Sequence, residues 1–222
     1  MSKRSERQKQ FRGRGSFGIV SFTQDLINSA FILLQLAFNE RKSLDSDTSG
    51  GHYSVHAPAS IVLISTAFDQ WLNESALTLD VRYKGLREIA ARHDTILKYQ
   101  KFAELISGKD FVISQDLRMA WDVRNEIVHW LPRKAADGTN WPEWLTTLQE
   151  RGLVLSTLLP DGGDATDLAT KFHSYSLALW VWRVFASAAD EFLAQFPSED
   201  EVERGIIEWS VKGFRSYERL PE

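Results

Sequence analysis

Apolar residues recur every three or four positions through almost every segment of this chain from residue 23 onward. No segment alternates apolar with polar residues over a strand's length, and no internal repeat or heptad series is visible. That single periodicity restricts the chain to helices that must bury one stripe each against one another. Residues 23–43 carry Leu26, Ile27, Ala30, Phe31, Leu34 and Phe38 at helical spacing. A Ser-, Asp- and Gly-rich link over 44–57 follows, and Pro58, suited to a first helical turn, opens a helix to about Val81. Residues 84–107 read as one helix or as two with a break near His93, ending at Gly108.

The run from Ser114 to Leu131 is closed by Pro132. At roughly 100° per residue, Ala120, Val123, Ile127 and Trp130 fall on one side of it. Arg118, Asp122, Asn125 and His129 form a polar stripe on the other, with Trp121 and Val128 along its edge. Asn140, Pro142 and Gly152 bracket a short Trp-rich helix, and Asp161 to Asp164 is a loop signal. Thr166 to Phe196 reads as one long apolar helix, closed by Pro197. Ser198 to Glu201 has the spacing of a capping box for a last short helix. Residues 204–222 are ambiguous and leave room for a strand. The expected fold class is all-α, an antiparallel helical bundle with extra short helices. Its expected parts are a basic flexible arm over 1–20, a helical domain over 21–197 and a C-terminal appendage over 198–222.

Hydrophobic residues make up 43% of the 222 positions, enough for a sizeable core, and there is no cysteine. Disulfides, cysteine zinc sites and cysteine nucleophiles are thereby excluded, which fits a reducing compartment. The first apolar run, Phe31 to Phe38, is too short to span a bilayer and begins too late for a signal peptide, so the expected location is cytoplasmic. Residues 1–14 hold six cations against one acid in a chain of formal charge −4. Such an arm on an acidic body, with Lys3, Arg4, Arg12 and Arg14 among its cations, can collect a phosphate backbone, or can simply solubilise the terminus.

Gly13 to Val20 matches the glycine-rich loop of protein kinases and the bare dinucleotide pattern. Both readings fail on context. The loop runs into a helix, only charged residues precede it, and the kinase lysine and aspartate motifs are missing. His52 and His56 have a metal-compatible spacing but no evident third ligand. His173, among Phe172, Tyr175 and Leu177, reads as a packed residue at the core edge. Trp141 and Trp144 could stack on bases or cover a bundle end, and the second is favoured.

Arg124-Asn125-x-x-x-His129, late in a helical bundle and set among aliphatic residues and tryptophan, resembles the signature of the HEPN superfamily. That signature is an Arg followed, after a four- to six-residue gap, by a His, often with a polar residue straight after the Arg. Arg87-x5-His93 satisfies the looser form too, without the adjacent Asn. The resemblance implies a bundle that dimerises so that two motif helices face each other across a metal-independent endoribonuclease site. It implies catalytic roles for Arg124, Asn125 and His129, with no cofactor. It also implies RNA as substrate, an acidic residue of the second helix (Asp69 or Glu74) near the cleft, and a toxin or phage-defence setting with an antitoxin or regulatory partner. Some family members have lost catalysis, so a non-catalytic module binding nucleic acid or protein is the alternative.

The residues suit that chemistry on their own terms. A His titrating near neutrality can take a proton from a 2′-hydroxyl or give one to a leaving 5′-oxygen, leaving a 2′,3′-cyclic phosphate and a 5′-hydroxyl. A guanidinium meets growing charge on phosphoryl oxygens with paired donors. Arg118 and Asp122, on the same stripe, are candidate substrate contacts. Arg124 and His129 point about 140° apart on an ideal helix. Either Arg124 reaches around or two copies complete the site across a two-fold axis.

Overall fold

The computed structural model describes residues 22–43, 53–129, 142–155 and 168–220, and they are helical with no strand among them. The most extensive packing joins α1 (Phe22–Ser43) to α2 (Ala57–Leu79). Ile27, Ala30 and Leu34 of α1 and Ile61, Ile64 and Phe68 of α2 are fully buried, the stripes their spacing predicts. Pro58 sits in the first turn of α2, where its missing N–H costs nothing. Asp80 ends α2, and its Oδ1 accepts from the backbone N–H groups of Gly85 and Arg87. Gly85 turns the chain at φ 104°, a conformation that a side chain would strain.

The segment 84–107 is two helices, α3 (Leu86–Arg92) and α4 (Thr95–Ser107). His93 between them is extended, and the Asp94 side chain caps α4 by accepting from the N–H of Leu97 at 2.9 Å. Gly108 closes α4 at φ 67°. Ser114 caps α5 (Gln115–Val128) through the N–H of Leu117 at 3.2 Å. The short α6 spans Glu143–Glu150, and Gly152 follows it at φ 67°.

The long helix expected over Thr166 to Phe196 is broken into α7 (Leu168–Lys171) and α8 (Tyr175–Leu193). The cause is tertiary. The His173 carbonyl, which a continuous helix would give to the N–H of Leu177, accepts instead from the Ser54 N–H at 2.6 Å. Leu177 is satisfied by the Ser174 hydroxyl at 3.3 Å, so α8 starts afresh with its own cap.

The C-terminal segment, expected to hold a short helix and with room for a strand, carries a helix that packs on the core. In α9 (Glu201–Phe214), Ile207, Val211 and Phe214 are buried. The Trp182 indole N–H donates to the Phe214 carbonyl at 2.6 Å, and the Trp71 indole N–H to the Ser210 hydroxyl at 2.9 Å. The capping box at Ser198 is not formed. Asp200 stands at the N-cap without capping, because its buried carboxylate accepts from the Arg82 guanidinium at 2.8 and 3.0 Å and from the Tyr83 hydroxyl. A short 3-10 turn, Arg215–Arg219, completes the described chain.

The core is an aromatic block where α2, α4, α8 and α9 meet. Trp71 packs edge-on to Phe192 and Phe214, and Phe68 lies 4.9 Å from Phe185, ring centre to ring centre. Tyr99 is buried at its centre and donates to the Ala188 carbonyl at 2.9 Å; that burial pushes its phenol far above the ordinary range. The basic arm with Lys3, Arg4, Arg12 and Arg14, the glycine-rich loop, His52, and the stretch holding Trp130, Pro132 and Trp141 lie outside the described residues.

Candidate functional site

Helix α5 has a buried face and a cleft face, as its two stripes require. Leu117, Ala120 and Val123 are sealed into the core, Ile127 is half-buried, and Trp121 packs edge-on to Phe185 of α8. The other face opens on a polar cleft of about 720 Å³. Arg118, Trp121, Asp122, Arg124 and Asn125 form its α5 wall. Facing them are Asp69 of α2, Thr95 and Lys98 of α4, and the His93–Asp94 junction.

The floor is a closed network. Lys98 is only 4% exposed, and its ammonium donates to Asp69 Oδ1 and to Asn73 Oδ1, both at 2.8 Å. The Thr95 hydroxyl also donates to Asp69. A buried ammonium needs such partners, since an unpaired one would carry a desolvation cost of several kcal/mol. The consequence for the site is that Asp69 is occupied on the floor and does not neutralise the cations across the cleft. Glu74, the other acid considered for this position, is turned elsewhere: it accepts from the Thr23 N–H and from Gln70, each at 3.2 Å, tying α1 to α2.

Arg124 is held but not neutralised. Its guanidinium lies over the Trp121 ring, 5.0 Å from the centroid, and one terminal nitrogen donates to Asn125 Oδ1 at 3.0 Å. Its Nε is buried with no acceptor, and no carboxylate among the described residues pairs with it. A structural arginine normally spends its donors on an acid. Here the stacking and the Asn125 bond fix the plane of the fork while leaving donors for a ligand.

His129 is the C-cap of α5; its N–H donates to the Asn125 carbonyl at 2.9 Å. It is exposed, and it is not among the residues that line the cleft. The angular separation expected between Arg124 and His129 therefore persists in the single chain. The histidine that does line the cleft is His93. In the sequence it stands out as a possible helix break and as the end of the looser Arg87-x5-His93 match, whose Arg87 turns outward to Asp80 at 3.7 Å. Lys98 was missed altogether, because a single lysine at helical spacing looks like solvated surface until the partner helix is in place.

The remaining candidates resolve simply. His56 pairs with Glu40 at 3.4 Å, and His173 stacks on Tyr53 with Nδ1 3.2 Å from the Ser54 carbonyl oxygen, the core-edge role expected of it. Trp144 stacks on Phe172. Among the described residues no group of three His, Asp or Glu side chains is placed to share a metal ion, and no helix is long and apolar enough to cross a membrane.

Desolvation raises the Asp122 pKa, and the nearby Arg118 charge opposes that only in part. A carboxyl whose pKa is higher folded than unfolded favours the fold while protonated, and that contribution is lost as pH rises through the folded value. Asp122 is exposed by surface area, so solvent screens much of this effect, and Asp122→Asn is expected to raise the urea midpoint only slightly at neutral pH, with the gain vanishing below the acid range of an ordinary aspartate. Urea titrations at pH 7 and near pH 3 check this; an unchanged or lower midpoint at pH 7 would contradict it.

No protein-family model matches the chain, and neither the curated proteins nor the solved structures contain a match to it.

Proposed function

We propose that the chain is a metal-independent endoribonuclease of HEPN type. The observation that carries this reading is Arg124 and Asn125 together on an open polar cleft, with the guanidinium oriented by Trp121 and Asn125 and bound to no carboxylate. In the proposed reaction Arg124 and Arg118 meet the phosphoryl oxygens, where a positioned charge stabilises the more negative transition state. Asn125 holds the Arg124 fork in plane. His129 handles a proton, and it reaches the cleft when a second copy of α5 pairs isologously with the first. The end of α5, where Val128 and His129 are both exposed, is the face offered for that pairing.

The test is cleavage of a mixed RNA pool in EDTA by wild type and by His129→Ala, with oligomeric state measured alongside. The expected result is products with 2′,3′-cyclic phosphate ends from a dimeric wild type, and a loss of roughly 100-fold or more in the variant. Full activity from monomeric protein would end the composite-site idea. No cleavage by the wild type would favour a module that binds nucleic acid or a protein without cutting it.

A further inference from the structure

Cleavage by transesterification moves two protons: one leaves the 2′-hydroxyl and one reaches the departing 5′-oxygen. His129 accounts for only one of them. Of the four described histidines, His56 is committed to Glu40 and His173 to the Ser54 carbonyl. His129 lies off the cleft. His93 alone lines the cleft that holds Arg124 and Asn125. It sits at a helix break with extended backbone, φ −119° and ψ 150°, and only its N–H is engaged, with the Ile89 carbonyl at 3.2 Å. Among the described residues its imidazole has no hydrogen-bond or ion-pair partner, and it is half-buried, so it is shielded yet reachable.

We infer that His93 is the second proton-transfer group of this cleft, acting as the base on the 2′-hydroxyl; the inference rests on the nuclease reading above. Neutral His93 accepts the 2′-hydroxyl proton, and the freed electron pair on the 2′-oxygen forms the bond to phosphorus. The bond from phosphorus to the 5′-oxygen breaks, and that oxygen takes a proton from the His129 imidazolium. Arg118 and Arg124 on one wall hold the phosphoryl oxygens. The acids facing the cleft with His93 are Asp69, neutralised by Lys98, together with Asp94 and Asp122, and the cations are Arg118 and Arg124.

Two measurements test this. In the first, His93→Ala and Arg124→Ala are compared with wild type over a pH series in EDTA, with binding of a non-cleavable 2′-O-methyl RNA followed by anisotropy. His93→Ala is expected to lose about 100-fold in cleavage rate and the acidic limb of the pH profile, while RNA affinity stays within about threefold. In the second, imidazole resonances of wild type are followed by NMR as the 2′-O-methyl RNA is added, with His93→Gln supplying the assignment. The His93 signal is expected to move and that of His173 to stay. Wild-type rate and an intact acidic limb in His93→Ala, with Arg124→Ala inactive, would overturn the inference and leave the nuclease reading standing. A silent wild type with an unmoved His93 signal would overturn both.

Discussion

Arg124→Ala is expected to lower the rate of the proposed RNA cleavage by roughly 100- to 1000-fold, the loss typical of removing one preorganised donor from a charge-stabilising site. The same variant is expected to fold almost as well as wild type. It gives up a stacking contact with Trp121 worth about 1 kcal/mol, and it also removes a buried Nε with no acceptor, whose desolvation costs about as much. A structural arginine behaves in the opposite way, because its deletion leaves an acid buried without a partner. Arg124→Lys sharpens the comparison: it keeps the charge but loses the planar fork that Trp121 and Asn125 orient, so it is expected to remain well below wild type. Rates and urea midpoints on the same preparations decide the matter. An active variant with a collapsed midpoint would assign Arg124 to the scaffold.

Trp71→Ala is expected to have the largest effect on stability, about 3–5 kcal/mol. Trp71 is 1% exposed and packs edge-on to Phe192 and Phe214, and its indole N–H holds Ser210 of α9. Truncation leaves a cavity lined by rings that cannot collapse into it, and it detaches the middle of α9 from α2. Against the 5–15 kcal/mol that usually separates folded from unfolded chains, that loss is a large share. Trp71→Phe keeps most of the packing and loses the Ser210 bond, for a smaller cost near 1 kcal/mol. Urea unfolding of both variants checks the pair. Equal midpoints for Trp71→Ala and wild type would mean that α9 is not held through this residue.

The contrast between α5 and α8 shows what local sequence carries. For α5 the stripe of Leu117, Ala120 and Val123, the Ser114 cap and the polar stripe are all local properties, and the helix forms where its spacing places it. For α8 the local pattern points to one helix from Thr166, yet the chain breaks at His173 because Ser54, over a hundred residues away, takes the carbonyl. The start of α9 departs from the expected Ser198 capping box for the same reason: Asp200 stands at the N-cap instead, and its carboxylate goes to Arg82 and Tyr83, a stronger pair of partners than a helix-end amide.

The candidate site divides along the same line. Periodicity alone was enough to fix the all-helical class, the buried stripes of α1, α2 and α5, and the placing of Arg118, Asp122 and Asn125 on one face of one helix, because each of these depends on residues within a few turns of one another. Only the tertiary structure decided that Asp69 rather than Glu74 lines the cleft, that Lys98 neutralises it, that Arg124 meets no carboxylate, and that His93 rather than His129 shares its cavity. Those outcomes depend on how α2, α4 and α5 cross, and crossing is set by the fit of side chains from separate segments, which no single helix encodes.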